Sequence, residues 1–342
     1  MASTQEYDQV ASDMRRSSDQ SDGNLNAREL IRYATLAASS HNTQPWKFRI
    51  RKDKITILPD FLRCCPVVDP DDSHLFKSLG CAAENLVHAA AAQGFSAEVR
   101  FDADENGINI FLKSDVKACA TDLYRAIPKR QCVKAAYDGS PIGVTELEKL
   151  KRAGEGPFVR TIMLSSDMQK SAVIDYVTRG NIAQLSDRAF RKELIAWIRF
   201  NIGEAMRMGD GLAGRISGQP ALPRWLAKLI MGVVLTPKGQ ADTDATNIRS
   251  STGIAVFVSS HNNKAAWVEV GRAYERFALQ ATALNICTAF INQPIEVSEL
   301  RPQFESWLKL EGEYALLMVR FGHGPVAPFS LRRPIDDVII ED

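Results

Sequence analysis

The chain has 342 residues, of which 45% are hydrophobic and 24% charged, a composition typical of globular proteins and enough length for one large domain or two. Because 42 lysines and arginines stand against 41 aspartates and glutamates, the formal net charge is only +1. This balance excludes a general attraction to nucleic acid or to an acidic membrane. We therefore expect neither as a partner, and any basic site must be local.

The first 24 residues are polar and contain no apolar stretch of the kind that a signal peptide needs. We predict a disordered tail over residues 1–24 and a cytoplasmic protein. The apolar run Trp225–Leu235 is interrupted by Lys228 and is shorter than the roughly 20 residues of a bilayer-spanning helix.

An internal repeat organises the rest of the chain. Residues 79–95 align without gaps on residues 270–286. The aligned pairs include Gly80 with Gly271, Ala82 with Ala273 and Glu84 with Glu275. Small residues at helical spacing let helices approach closely, so each copy predicts a buried, alanine-lined helix. More loosely, helix 26–37 with the strand after it resembles helix 145–152 with the strand after it.

Runs of β-branched and aromatic residues bounded by turn residues predict the strands. They are Trp46–Arg51, Ile55–Leu58, Ala97–Phe101, Ile108–Lys113, Phe158–Leu164, Gly253–Ser259 and Tyr314–Arg320. The short turn between the first two requires antiparallel pairing. The expected fold class is α+β, with antiparallel-rich sheets flanked by helices. Two similar halves, 25–124 and 125–342, would pack about a pseudo-twofold axis as a homodimer does, forming a pseudo-dimer.

The spacing of the repeat predicts an insertion in the second half, at about 187–240. One continuous helical pattern covers residues 188–207, and a glycine-rich stretch and a second amphipathic helix follow. GDGLAG at 209–214 matches the dinucleotide-binding fingerprint, but it follows a helix rather than a strand. We therefore predict a flexible hinge there instead of a nucleotide site.

No known catalytic motif is present. The six cysteines and five histidines lack metal-ligand spacing, and hydrolase and P-loop motifs are missing. We expect no metal ion and no catalytic dyad or triad, and most cysteines to be small buried side chains.

Three polar or basic segments are candidate binding elements. AASSHNTQPW at 37–46 offers hydroxyl and amide groups before an extended exit fixed by Pro45, although alone it would also suit a capping turn. Arg332 and Arg333 suit bidentate capture of a phosphate, although adjacent surface arginines are usually only solvated. KRQCVK at 129–134 is a second basic cluster.

Together these segments resemble the nitroreductase superfamily. The resemblance is carried by AASSHNTQPWKF, RQCVK followed by YDGSPI, DPDDSHLFKSLGCAAEN, INQPIEV and SLRRPIDDVI, and it covers about residues 25–340. The sequence looks most like the Acg-like branch, in which two nitroreductase-like halves are fused in one chain. This resemblance implies an FMN site at the interface of the halves, with NAD(P)H as the possible reductant.

The resemblance also implies which residues contact FMN. The phosphate-binding element falls on Arg130, Cys132 and Lys134, the terminal basic pair on Arg332 and Arg333, and the flavin-facing loop on Ser39, Ser40, Asn42 and Gln44, with Thr288 and Ala289 completing the set. Cys132 replaces a hydroxyl and Lys134 an arginine, which predicts a weaker phosphate grip. Ala38 stands where proline is usual.

The implied activity is NAD(P)H-dependent reduction of nitroaromatics or quinones through FMN. One alternative is a protein that stores or sequesters FMN beneath a lid formed by the insertion, and another is a flavin-free structural relic. Because the second half offers only AGEGPF at 153–158 in place of a polar loop, we expect one FMN per chain. The chain itself would be a monomer or a weak homodimer.

Overall fold

The computed structural model describes residues 3–16, 25–214 and 235–341. The helices are α1 Thr4–Asp13, α2 Ala27–Thr35, α3 Ser73–Ala92, α4 Asp122–Ala126, α5 Val144–Ala153, α6 Asp167–Ser186, α7 Arg188–Trp197, α8 Ile202–Met208, α9 Pro237–Arg249, α10 Lys264–Ala283, α11 Gln293–Glu296 and α12 Arg301–Trp307. The strands are β1 Trp46–Arg51, β2 Lys54–Pro59, β3 Phe95–Asp102, β4 Gly107–Ser114, β5 Val159–Leu164, β6 Ile198–Arg199, β7 Leu212–Ala213, β8 Gly253–Ser259, β9 Cys287–Phe290, β10 Tyr314–Gly322 and β11 Ile339–Ile340.

The two large sheets have the same connectivity. The first contains β1-β2-β4-β3 and the second β5-β8-β10-β9, and all of these neighbours pair antiparallel. In both halves a helix precedes the first strand, and a 20-residue helix links the second strand to the third. The α+β class and the internal duplication predicted from the sequence are therefore confirmed.

The central helices α3 and α10 cross at the two glycines of the repeat. A Cβ added to Gly80 would lie 2.1 Å from the carbonyl oxygen of Val268, and one added to Gly271 would lie 1.9 Å from that of Lys77. Lys77 and Val268 are themselves equivalent in the repeat, so the contact is reciprocal, as at a twofold interface. The largest apolar core accordingly includes residues of both halves.

Residues 4–13 form a helix, so the prediction of a disordered tail was wrong for this part of the chain. Ser3 and Glu6 form a capping box at its start. Tyr7 and Ala11, one turn apart, are buried against the insertion and the C-terminal segment, and the tyrosine hydroxyl donates to the carbonyl of Phe329 at 3.0 Å. Only this narrow face is apolar, which the polar composition of the segment conceals.

The insertion is longer than predicted and is built differently. It occupies residues 165–252, between β5 and β8, where the first half has only the turn between β1 and β2. The predicted continuous helix is divided into α7, β6 and α8. Strand β6 pairs in parallel with β7, because a buried ion pair between Arg199 and Asp210 (2.6 Å) joins the two segments.

The GDGLAG segment forms a turn that is hydrogen-bonded to the loop before β1. Gly209 ends α8 with a φ of 62°, and Gly211 has a φ of 73°, conformations that favour glycine. The Gly211 amide donates to the carbonyl of Asn42 at 3.1 Å, and the Asn42 side chain donates to the carbonyl of Gly211 at 3.2 Å. Residues 215–234 of the predicted lid lie outside the described residues.

The C-terminal segment crosses from the second half to the first. Strand β11 pairs in parallel with β1, with Ile339 opposite Phe48, so residues predicted to belong to the second half complete the first sheet. Among the helices of residues 3–16, 25–214 and 235–341, none is long and apolar enough for a membrane span.

Candidate functional site

A cavity of about 420 Å³ is lined by both halves of the chain, the insertion and the C-terminal segment. This volume is in the range typical of pockets for cofactors and other small molecules. Polar loop residues and arginines form part of the wall, and apolar side chains of the insertion, including Phe190, Leu194 and Leu212, form another part. The cavity is therefore suited to a ligand with both an apolar ring and a charged group.

The loop between α2 and β1 presents Ser39, Ser40, His41 and Asn42 to the cavity. His41 and Asn42 have φ angles of 48° and 54°, a region that residues other than glycine seldom adopt and that is often found at functional sites. The Ser39 hydroxyl accepts from the amide of Gln44 at 3.1 Å, and Gly211 binds Asn42 as described above. The loop is thus strained but held in place by its neighbours.

Three buried arginines, Arg15, Arg130 and Arg332, line the cavity together. Arg130 lies 2.9 Å from the carboxylate of Glu275. Within the described residues, neither Arg15 nor Arg332 has a carboxylate within ion-pair distance. Three guanidinium groups and one carboxylate leave a formal charge of +2 beside the cavity.

The pKa values reflect this excess of positive charge. Burial, together with the charges of Arg15 and Arg130, holds the pKa of Arg332 well below its usual range. Burial and the charge of Arg130 lower the pKa of Arg15 to about 9. Removing charged groups from water is costly unless they are paired, so the cluster would be stabilised by an anion.

The three arginines differ in how their donors are used. Arg332 donates to the carbonyls of Thr35, Leu36 and Ala37 at the C-terminal end of α2, where a cation is favourable. Arg130 donates to Leu36 at 2.8 Å, while its Nε and the nearby Glu275 Oε1 lack an aligned hydrogen bond. Arg15 donates to the carbonyls of Ala11 and Ser330. A guanidinium has five N–H groups, so Arg15 and Arg130 retain donors for a ligand.

Of the residues that the sequence predicts for the site, seven line this cavity: Ser39, Ser40, Asn42, Arg130, Cys132, Lys134 and Arg332. Lys134 is exposed at the protein surface. Burial of the imidazole and the charge of Lys134 lower the pKa of His41 to about 4. His41 is therefore neutral at physiological pH.

Four predicted site residues are absent from the cavity wall. Gln44 is fully buried; its side chain donates to the carbonyl of Gly209 at 2.8 Å and accepts from the amide of Arg333 at 2.9 Å. The Arg333 side chain faces Asp60 instead, at 3.7 Å. Thr288 and Ala289 are buried in β9, where backbone pairing occupies them.

Two residues of this cluster, Arg15 and Glu275, were not identified from the sequence. Arg15 follows α1, which was predicted to be disordered, so nothing in its local sequence indicated a site. Glu275 carried a signal, because the repeat aligns it with Glu84 and a buried acidic position in both copies requires basic partners.

Glu84 on α3 has different neighbours from its equivalent, Glu275. Its carboxylate accepts from Arg272 at 2.9 Å and from Arg276 at 3.0 Å, and Arg272 also pairs with Glu269 at 3.0 Å. Burial alone would raise the pKa of Glu84, but His88 and these two arginines outweigh it and lower the pKa to about 2. The two arginines and two glutamates leave no net charge for a ligand.

The stretch 153–158 takes part in this second cluster. The carbonyls of Ala153 and Glu155 accept hydrogen bonds from Arg276 at 3.3 and 2.9 Å. In the first half, the equivalent stretch after α2 faces the cavity. Arg276 thus lies against the backbone at the position equivalent to the cavity loop.

No family model matches the chain. Two sequence relatives are each named "Putative NAD(P)H nitroreductase", one from Mycobacterium tuberculosis strain CDC 1551 / Oshkosh and one from strain ATCC 25618 / H37Rv. Each is 26% identical over 333 residues, which cover 91% of this chain and 90% of the relative.

Solved structures with partial similarity include the FMN-dependent nitroreductase NfnB from Mycobacterium smegmatis in complex with NADPH, at 15% identity and a TM-score of 0.41, with 63% of this chain and 96% of that chain covered. A nitroreductase with bound FMN from Bacteroides fragilis has 14% identity and a TM-score of 0.37, with 60% and 90% covered. The ordered motifs of the sequence are thus accompanied by similarity, over nine-tenths of both chains, to the two sequence relatives named "Putative NAD(P)H nitroreductase".

Proposed function

We propose that the cavity binds FMN and that the chain is an FMN-dependent NAD(P)H oxidoreductase. The observation that carries this proposal is the set of three buried arginines that line the cavity, Arg15, Arg130 and Arg332, of which Arg130 is paired with Glu275. Together with Glu275, their formal charge of +2 complements a phosphate monoester, which carries a charge of about −1.5 to −2 at neutral pH. The names of the two sequence relatives point to the same activity.

The residues present fit such a cofactor. Arg15 and Arg130 would bind the phosphate, and Arg332 would add charge while holding the end of α2 in place. The Ser39–Asn42 loop would supply hydrogen bonds to the ring edge. The apolar side chains of the insertion would exclude water from the ring.

When bound, FMN supplies the hydride-transfer chemistry between NAD(P)H and an acceptor. The chain's own residues then have to bind, orient and shield the reactants. Nitroaromatics and quinones, the acceptors implied by the motifs, are the substrates we propose. Because the Glu84 cluster is neutral and Arg276 occupies the backbone of 153–158, we also propose one flavin per chain and membership of the Acg-like, pseudo-dimeric branch.

The visible absorption spectrum of the purified protein, with and without NADPH, tests this function. A yellow protein that NADPH bleaches under anaerobic conditions is expected, and added quinone should restore the colour. A colourless protein that ignores added FMN would contradict the proposal and favour a structural relic. Heat-released cofactor, identified by chromatography, distinguishes FMN from other flavins.

A second candidate function is sequestration of FMN with little turnover, and one observation favours it. Residues of the described part of the insertion line the cavity, and two hydrogen bonds between Gly211 and Asn42 join the insertion to the loop between α2 and β1. A flavin covered in this way would be reached poorly by NADPH. Dithionite is a much smaller reductant than NADPH. If dithionite reduces the flavin quickly and NADPH reduces it very slowly, the result would support sequestration over the oxidoreductase.

A further inference from the structure

A second group of ionisable side chains lines the same cavity: His74 and Lys77 in the first turns of α3, and Glu296 at the end of α11. His74 and Lys77 are buried, and Glu296 is largely so. The Nε2 atom of His74 lies 3.6 Å from Oε1 of Glu296, and the Gln184 amide donates to Oε2 at 2.7 Å. The FMN contacts proposed above use none of these three side chains.

The position of this group relative to the arginines follows from α3. His74, Lys77, Ser78 and Cys81 all line the cavity from one face of that helix. At 1.5 Å per residue, His74 and Cys81 are roughly 10 Å apart along the axis. The Cys81 end lies beside Glu275 and Arg130, so the Glu296 group is about two helical turns from the proposed phosphate contacts, within one cavity.

Glu296 is surrounded by groups of both signs. Asp69 faces it from the start of α3, where it accepts from the His74 amide and the Ser73 hydroxyl. Lys77, Arg301 of α12 and the Cys65 thiol also face it. Burial, reinforced by Asp69, raises the pKa of Glu296 to about 7 even though Gln184, Lys77 and Arg301 oppose the shift.

The two neighbouring bases, His74 and Lys77, differ in protonation. Burial and the charge of Lys77 lower the pKa of His74 well below its usual range, so the imidazole is neutral. The Lys77 ammonium donates to the Ser73 hydroxyl at 3.2 Å beside Asp69. Burial lowers the pKa of Lys77 to about 8, so both Lys77 and Glu296 carry a transferable proton near neutral pH. Glu296 is the more open of the two, because its side chain is 18% exposed and Lys77 is only 3% exposed, so solvent can return a proton to it.

We infer that Glu296 is the proton donor to the carbonyl oxygen of a quinone-type acceptor reduced in this cavity, an inference that rests on the proposed function. The acceptor receives a hydride whose two electrons originate in NAD(P)H, which is oxidised to NAD(P)⁺. The O–H bond of Glu296 breaks, an O–H bond forms on the acceptor, and Glu296 is left as a carboxylate. Solvent returns one proton to it, so quinone, NAD(P)H and one proton give hydroquinone and NAD(P)⁺.

The first test follows the carboxyl group itself. In pH-difference infrared spectra of the whole protein, a protonated carboxyl that titrates near pH 7 is expected in the wild type and should be absent from Glu296→Gln. Glu299→Gln, at an exposed neighbouring position, should keep it. A wild type with no carboxyl titrating in this range would overturn the inference.

The second test is single-turnover reoxidation of the NADPH-reduced protein by an uncharged benzoquinone. The wild-type rate should fall tenfold per pH unit above about pH 7, because only the acid form of Glu296 donates. Glu296→Gln should be slower by about 10²-fold or more and independent of pH over this range, while FMN affinity and the rate of reduction by NADPH stay unchanged. An unaltered rate and pH profile in that variant would refute the role.

If Glu296→Gln fails to fold, Gln184→Leu replaces it. Loss of the amide donor should raise the pH at which the Glu296 carboxyl titrates. The pH above which the reoxidation rate falls should rise by the same amount. A midpoint and a profile that do not move together would contradict the inference. A colourless wild type would overturn the proposed function and this inference with it, whereas a normal flavin with unchanged reoxidation overturns this inference alone.

Discussion

Glu275 and Glu84 occupy equivalent positions on the two central helices, but their surroundings differ in charge. Glu275 is paired with Arg130, one of three buried arginines that line the cavity, and this cluster has a formal excess of two positive charges. Glu84 has two arginines that are balanced by itself and Glu269. A buried acid at equivalent positions of the repeat is thus part of a positively charged cluster beside the cavity in one case and of a closed ion-pair network in the other.

The backbone next to each glutamate shows the same difference. The amide of Ala38, just before the cavity loop, faces Glu275 at 3.4 Å, and the loop that follows is polar and strained. In the other half, the carbonyls of Ala153 and Glu155 accept from Arg276. Two similar halves within one chain can differ in this way, whereas the two sites of a homodimer must have the same sequence.

The largest expected effect concerns what the two halves still share. Gly80→Ala and Gly271→Ala should each lower the free energy of unfolding by at least about 3 kcal/mol, because the added methyl would meet a helix carbonyl at 2.1 or 1.9 Å. Chemical denaturation measures both. Gly203→Ala is the control, since its added Cβ would have only an ordinary contact at 3.6 Å. A large loss at one central glycine alone would show that the crossing is not reciprocal.

Acid titration of stability should separate the two glutamates. The pKa of Glu84 is lowered to about 2, so its contribution is fully present above its unfolded pKa and is lost as the pH falls through about 2. Glu84→Gln should therefore cost on the order of 3 kcal/mol at neutral pH, and the difference from the wild type should disappear in acid. Thermal unfolding between pH 2 and pH 7 measures it.

The contribution of Glu275 to stability should change with pH in the opposite direction. Burial raises its pKa above the usual value, although Arg130 opposes the shift. Its contribution is therefore greatest below its unfolded pKa and declines as the pH rises through the folded value. The stability of Glu275→Gln relative to the wild type should improve with rising pH. The same trend for both glutamates would contradict the difference drawn between their surroundings.

Flavin affinity should depend on the arginines that line the cavity and not on those paired with Glu84. Arg15 forms no ion pair with a carboxylate of the described residues, so the Arg15→Ala variant should remain folded. Its FMN binding should weaken by roughly 10- to 150-fold. Arg16→Ala, one residue along and exposed, is the matched control. Arg333→Ala and Arg276→Ala should also keep wild-type affinity in a fluorescence titration. Equal losses for Arg15 and Arg276 would mean that the two clusters are not specialised.

The smallest expected effect concerns α1, which packs on the insertion and the C-terminal segment beside Arg15. Tyr7→Phe removes the hydrogen bond to the carbonyl of Phe329 and should cost about 1 kcal/mol of stability. Gln9→Ala, which loses only an exposed contact with Asp13, is expected to have almost no effect. A Tyr7→Phe variant as stable as the wild type would show that α1 is not anchored through this bond.

The sequence predicted elements best where local pattern and tertiary environment agree. Trp46–Arg51 and Gly253–Ser259 have the predicted bounds, because β-branched and aromatic runs between turn residues suit buried strands. The prediction of one continuous helix over 188–207 was wrong because it used only the spacing of apolar residues. That spacing carries no information about the ion pair between Arg199 and Asp210, which joins β6 to the segment that contains β7.

The site was predicted in part for the same reason. The polar loop and Arg130 are recognisable from their sequence motifs. Neighbouring residues such as Arg332 and Arg333 can point in different directions, and only the tertiary fold decides that the first faces the cavity and the second faces Asp60. Arg15 could not be found, because its contacts with Ser330 and the cavity join residues more than 300 positions apart.

The number of FMN molecules bound per chain tests the specialisation of the two halves most directly. The protein would be saturated with FMN, freed of excess by gel filtration and denatured, and the released flavin quantified by absorbance against the protein concentration. One flavin per chain is predicted, because only the Glu275 side has uncompensated arginines. A ratio near two would show that the Glu84 side also binds flavin and would contradict the account.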